Sequence, residues 1–61
     1  MPDLSDEERA EFIRELDAAA DYVDVTREEV DFLEQHLNTT TFTDAQCDVI
    51  DCMWDRYRGQ I

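Results

Sequence analysis

The sequence predicts an all-α protein, a compact three-helix bundle. Three observations carry that reading: a helix-capping signature that occurs three times, apolar residues at helical spacing behind each copy, and almost nothing to interrupt them. The 61 residues include one Gly and one Pro. Leu4-Ser5-Asp6-Glu7-Glu8, Val25-Thr26-Arg27-Glu28-Glu29 and Phe42-Thr43-Asp44-Ala45-Gln46 each set Ser or Thr three residues before Glu or Gln. In such a box the hydroxyl accepts from the third helical amide, and the Glu or Gln side chain accepts from the cap's own amide. An apolar residue precedes each cap, and Val25 and Phe42 stand where they can staple onto Val30 and Cys47.

The first helix is expected over about residues 6–22, with Phe12, Ile13, Leu16, Ala20 and Val23 recurring at helical spacing. The second is expected over about 27–37, with Val30, Leu33 and Leu37 on one stripe. Asn38 and the run Thr39-Thr40-Thr41, poor helix material, end it. The third is expected over about 44–58, with Cys47, Ile50, Met53, Trp54 and Tyr57 facing inward. Gly59 suits a left-handed cap, and Arg56 and Arg58 suit the negative end of the helix dipole. The caps recur at unequal spacing, so they punctuate one domain, residues 1–61, and do not mark a repeat array.

A chain of this length buries only about 60% of its unfolded surface and needs well-formed helices or an added constraint. Cys47 and Cys52 lie five positions apart on one helix and point about 140° from each other, so they do not pair within the chain. No framework of closely spaced Cys and His marks a structural zinc, and no metal or cofactor is expected. The N-terminal stretch Met1-Pro2-Asp3-Leu4-Ser5-Asp6 has no basic region followed by an apolar run, and the longest apolar stretch is Ala18 to Ala20. Neither a signal peptide nor a membrane span is expected, and unpaired thiols suit the reducing cytoplasm.

Charge narrows the function classes. Seventeen Asp and Glu against five Arg give a formal charge of −12. Such a chain is repelled by nucleic acid and anionic membranes and attracted to basic surfaces. With 43% apolar residues and six aromatics among the 61, it has the means to fold despite that charge. An enzyme is not expected. His36 is the sole histidine, Gly59 the sole glycine, and a bundle this small has little room for a substrate pocket. A glycine-centred calcium loop is missing as well.

The acids are arranged in rows. Asp44, Asp48, Asp51 and Asp55 recur every three or four residues, within a strip about 60° wide on the third helix. Their rise of about 4.5 to 6 Å from one to the next is comparable with neighbouring phosphates of a nucleic acid strand. Glu28, Asp31 and Glu34 repeat the theme opposite the apolar stripe of the second helix, and Glu7, Glu8, Glu11 and Glu15 flank the first. Like charges at this spacing destabilise a helix, so the rows are expected to serve a basic protein partner. An acidic amphipathic helix with a merely solvated polar face has the same pattern, as does a halophile-type surface.

The apolar side is in excess too. The apolar arc of the third helix, Val49 included, spans about 160°, and Phe32 points about 130° from the centre of its helix's stripe. Phe32, Trp54 and Tyr57 are therefore candidate apolar contacts, for a partner or for a homodimer.

A very small, acidic helical protein with carboxylate rows resembles phage-encoded inhibitors of the anti-CRISPR and DNA-mimic type. The stretch from Phe42-Thr43-Asp44-Ala45-Gln46 through Trp54-Asp55-Arg56-Tyr57 is similar to a capped terminal helix of small phage proteins. The resemblance implies a non-enzymatic inhibitor in the host cytoplasm that occupies the DNA-binding channel of a CRISPR effector complex or another DNA- or RNA-binding protein. Its contacts would be Asp44, Asp48, Asp51 and Asp55, with Glu28, Asp31 and Glu34 beside them. A small interaction module, antitoxin-like or transcription-regulating and bound through apolar surface, is the alternative. Direct DNA binding is rejected, because the third helix would carry four Asp into a groove lined by phosphates.

Overall fold

The computed structural model describes residues 4–61, and Met1, Pro2 and Asp3, which open the N-terminal stretch read above, lie outside them. Three helices follow in order: α1 over Asp6–Ala18, α2 over Arg27–Gln35 and α3 over Asp44–Tyr57. A single 3₁₀ turn, Arg58–Gln60, closes the chain. The Cα radius of gyration is 10.4 Å, matching the ~10.5 Å expected of a tightly packed chain of this length.

All three capping boxes form. Ser5, Thr26 and Thr43 adopt extended backbone, and each hydroxyl accepts from the third helical amide at 3.2 Å. Glu8, Glu29 and Gln46 return the bond, accepting from the cap amides at 3.0, 2.9 and 2.9 Å. Each helix therefore starts at its capping box.

The helix ends fall short of the sequence expectation, each for a local reason. α1 stops at Ala18 instead of reaching Tyr22, and turns carry the chain through Ala19 to Tyr22. Its last turn has no basic residue, while Asp17, Asp21 and Asp24 crowd the negative end of the dipole. The turns also drop Val23 into the core. α2 stops at Gln35 because His36 replaces a backbone bond with a side-chain one. The His36 amide shifts to the Leu33 carbonyl at 3.1 Å, and its ring Nδ1 takes the Phe32 carbonyl at 2.7 Å. Gly59 does not form the expected left-handed cap, since no glycine has a positive φ. The chain instead tightens into the 3₁₀ turn, and the Gln60 side-chain amide donates to the Arg56 carbonyl at 3.4 Å.

α1 is the central helix. Phe12, Ile13 and Leu16 bury against Leu33 of α2 and against Ile50, Met53 and Tyr57 of α3, with Val23 completing the core. Trp54 packs edge-on to Phe12, with ring centroids 5.2 Å apart. α2 and α3 each lie close along α1, but their backbones do not approach one another. Between them runs a groove, and it sets the geometry of the surface described next.

Candidate partner-binding surface

Long side chains span α2 and α3 at both ends. At one end the Tyr57 hydroxyl donates to Glu29 Oε1 at 2.6 Å, and Arg56 reaches Glu29 Oε2 at 3.5 Å. At the other, the Gln46 side-chain nitrogen meets His36 Nε2 at 3.0 Å. The start of α2 thus meets the end of α3 and the reverse, so the two helices run antiparallel.

The His36 clasp has a defined proton arrangement. The Gln46 side-chain oxygen accepts from the Thr43 amide, which leaves its nitrogen to donate to His36 Nε2. Nδ1 then carries the ring proton and donates to the Phe32 carbonyl. Phe32 stacks on the same imidazole with centroids 4.3 Å apart. The residue that closes the α3 capping box therefore also holds the end of α2.

The Glu29 clasp is electrostatic. Burial alone would raise the Glu29 carboxyl pKa, but the Tyr57 hydroxyl, the Thr26 amide and hydroxyl, and Arg56 together outweigh it and lower the pKa. Tyr57 responds in the opposite sense: its bond to Glu29, reinforced by burial, raises the phenol.

Between the clasps lies the groove, of about 410 Å³. Phe32, Val49 and Met53 supply apolar lining, with Cys52 beside them. Glu28 stands on the α2 bank and Asp48 on the α3 bank, while Arg56 marks the Glu29 end. On α3, Val49 and Met53 form one i,i+4 ridge, and Asp48, Cys52 and Arg56 form its neighbour.

The four-Asp row divides among different tasks. Asp44, Asp48 and Asp55 are exposed. Asp51 instead turns toward α1, where its two oxygens take Arg9 Nε at 3.1 Å and Nη2 at 3.2 Å. Both side chains are largely covered, at 13% and 14% exposure, and Arg9 also reaches Asp6 at 3.5 Å. The hydrogen bonds to Asp51, opposed by burial, hold the Arg9 guanidinium pKa above its usual value. Asp51 is thus a bridge between helices, and the free row on α3 is Asp44, Asp48 and Asp55. Glu28, Asp31 and Glu34 are all exposed on α2.

The apolar candidates separate too. Tyr57 is a core residue, only 3% exposed, and is not available as a surface contact. Trp54 is half-buried on Phe12. Phe32, expected to point away from the core, packs against it and stays half-buried while lining the groove. The short α2 explains this: only Leu33 is fully buried on it, and Phe32 packs beside it at the edge of the core.

Sequence reasoning missed the Arg9–Asp51 bridge and the groove. A signal for the first exists, because Arg9 stands three and four residues ahead of Phe12 and Ile13, on the flank of the buried stripe. The groove has none, since it depends on how far α2 and α3 splay. Among the described residues no helix is long and apolar enough to cross a membrane. Comparison with protein-family models, with curated proteins and with solved structures finds no match to this chain.

Proposed function

We propose that this protein is a non-enzymatic inhibitor that binds a basic, nucleic-acid-handling protein and sets carboxylates where the nucleic acid would set phosphates. The observation that carries the reading is the one-sidedness of the surface charge. Among the described residues only Asp6, Glu29 and Asp51 meet an arginine. The exposed acids Asp44, Asp48 and Asp55 on α3, and Glu28, Asp31 and Glu34 on α2, have no such partner within the fold. Uncompensated charge of this density opposes folding through self-repulsion and favours encounter with a positive surface. A CRISPR effector complex, which holds its heteroduplex in a positively charged channel, is the partner that the resemblance to anti-CRISPR inhibitors singles out.

The test is affinity capture. Immobilised protein is exposed to nuclease-treated lysate of the cell that carries it, at low and at high salt, and the retained proteins are challenged with duplex DNA. The reading expects basic nucleic-acid-binding proteins retained at low salt, released as salt rises and displaced by DNA. Retention that is indifferent to both salt and DNA would refute it.

A further inference from the structure

We propose that the groove between α2 and α3 receives the apolar face of a short, lysine- or arginine-rich amphipathic helix of the partner. The inference rests on the reading above that the partner is basic, and it adds where and how that partner is anchored. Three features of the groove converge on such an occupant.

The first is shape. α2 and α3 are antiparallel and stay apart because side chains, not backbone packing, join them at the two ends. The lining runs from Glu28 to Phe32 on α2 and from Asp48 to Arg56 on α3, or about 6 and 12 Å at 1.5 Å per residue. That opening accommodates about two turns of a third helix lying along the pair, the usual way an amphipathic helix enters a helical groove. Its volume of 410 Å³ lies within the range of real binding pockets, roughly 300–1,000 Å³.

The second is the lining. Phe32 and Val49 present apolar surface in the groove above the buried Met53, and Val49 remains 43% exposed. The fold leaves this surface open because α2 and α3 both spend their buried residues on α1.

The third is charge. The exposed carboxylates Glu28 and Asp48 line the groove from opposite banks, Glu28 toward the Tyr57 end and Asp48 toward the Gln46 end, and neither has an arginine partner among the described residues. Arg56, the cation at the end of the groove, is engaged with Glu29. A helix with Leu-type side chains on one face and Lys or Arg on its flanks satisfies strip and banks together. A second copy of this chain does not: each copy carries −12, and docking groove to groove would bring matching acids together.

The probe is a synthetic two-to-three-turn helical peptide with a leucine face flanked by lysines, and its control is an oligolysine of equal charge. Binding of both to the full chain is followed by fluorescence anisotropy. The leucine–lysine peptide is expected to bind at least tenfold more tightly than oligolysine. Val49→Asp, at an exposed helical position, is expected to weaken the leucine–lysine peptide at least tenfold. Because that substitution adds negative charge, oligolysine should bind the variant as well or better. The opposite signs separate apolar anchoring from simple attraction. In the unaltered protein the leucine–lysine peptide should also slow alkylation of the exposed, groove-lining Cys52, read by mass spectrometry. Cys52 unprotected, with the two peptides binding alike and Val49→Asp without effect, would overturn the groove while leaving the basic-partner reading standing. Failure of both peptides to bind even at low salt would overturn both readings. A dimer that Val49→Asp dissociates would assign the groove to a second copy and overturn the proposal.

Discussion

Removing one oxygen tests how α2 and α3 are held. In Tyr57→Phe the ring stays in the core and only the hydroxyl that donates to Glu29 at 2.6 Å is lost. Tyr57 is 3% exposed and the Glu29 side chain 16%, so water replaces the missing donor poorly. A hydrogen bond to a charged group contributes about 1.5–3 kcal/mol. Glu29 Oε1 keeps the Thr26 amide at 2.9 Å, which places the expected loss toward the low end, about 1–2 kcal/mol at pH 7. For a domain this small that lowers the midpoint of thermal unfolding by roughly 8–15 °C. The pH dependence follows from the direction of the Glu29 shift. Its folded pKa is lowered, so the stability it supplies is present above the ordinary glutamate value near 4.3 and fades as pH falls through the lower folded value. The gap between the two proteins should therefore hold from pH 7 to about 5 and narrow below about pH 4. Tyr57 has a raised pKa, so its part of the same bond is fully present below about pH 10 and lost as pH rises through the folded value. Thermal melts by circular dichroism across pH 3–8 measure the acid side. Equal midpoints at pH 7, or a gap that stays constant down to pH 3, would show that Glu29 and Tyr57 do not share a charge-assisted bond.

Four further variants probe the other joints. Leu33→Ala empties the one fully buried position of α2 and should lose about 2–5 kcal/mol, a large share of the ~3–9 kcal/mol available to 61 residues, as urea titration would register. Asp51→Asn should lose about 1–2 kcal/mol, between the values for exposed and buried pairs. Replacing both partners, Arg9→Met with Asp51→Leu, should recover most of that in the same titration. Gln46→Ala breaks the return bond of the α3 box and the clasp on His36 together. It should lose about 1 kcal/mol and speed amide hydrogen exchange both in the first turn of α3 and at the end of α2.

The helix starts and the core were legible in the sequence because both are local. A hydroxyl three residues before Glu or Gln acts within one turn, and residues such as Phe12, Ile13, Leu16, Leu33 and Ile50 lie where the 3.6-residue period sets them. Helix ends were less legible, because His36 ends α2 through a ring that reaches Phe32 on one side and Gln46 on the other. The acidic row on α3 was visible as a row, but its division was not. Asp51 differs from Asp48 by a small rotation around the helix, enough to turn one carboxylate to Arg9 and the other to the bank of the groove. Phe32 was misplaced for a related reason. Angles measured around one helix assume that the core lies in one direction, whereas α2 packs on α1 and also borders an open groove toward α3.

The most direct test of the central claim uses the free carboxylates alone. Asp44→Asn, Asp48→Asn and Asp55→Asn together keep side-chain shape and remove three charges, and Asp51 is left in place because it holds Arg9. Asp44 sits in the first turn of α3, where negative charge helps by a few tenths of a kcal/mol, and relief of repulsion along the row offsets part of that loss. The fold should therefore persist, as circular dichroism would confirm. Binding to the captured basic partner, titrated over a salt series with Phe32→Ala in parallel, should fall at least tenfold in the triple variant and lose most of its salt dependence. Unchanged affinity in the triple variant, with binding lost instead in Phe32→Ala, would contradict phosphate mimicry and leave the acidic row a solvated face.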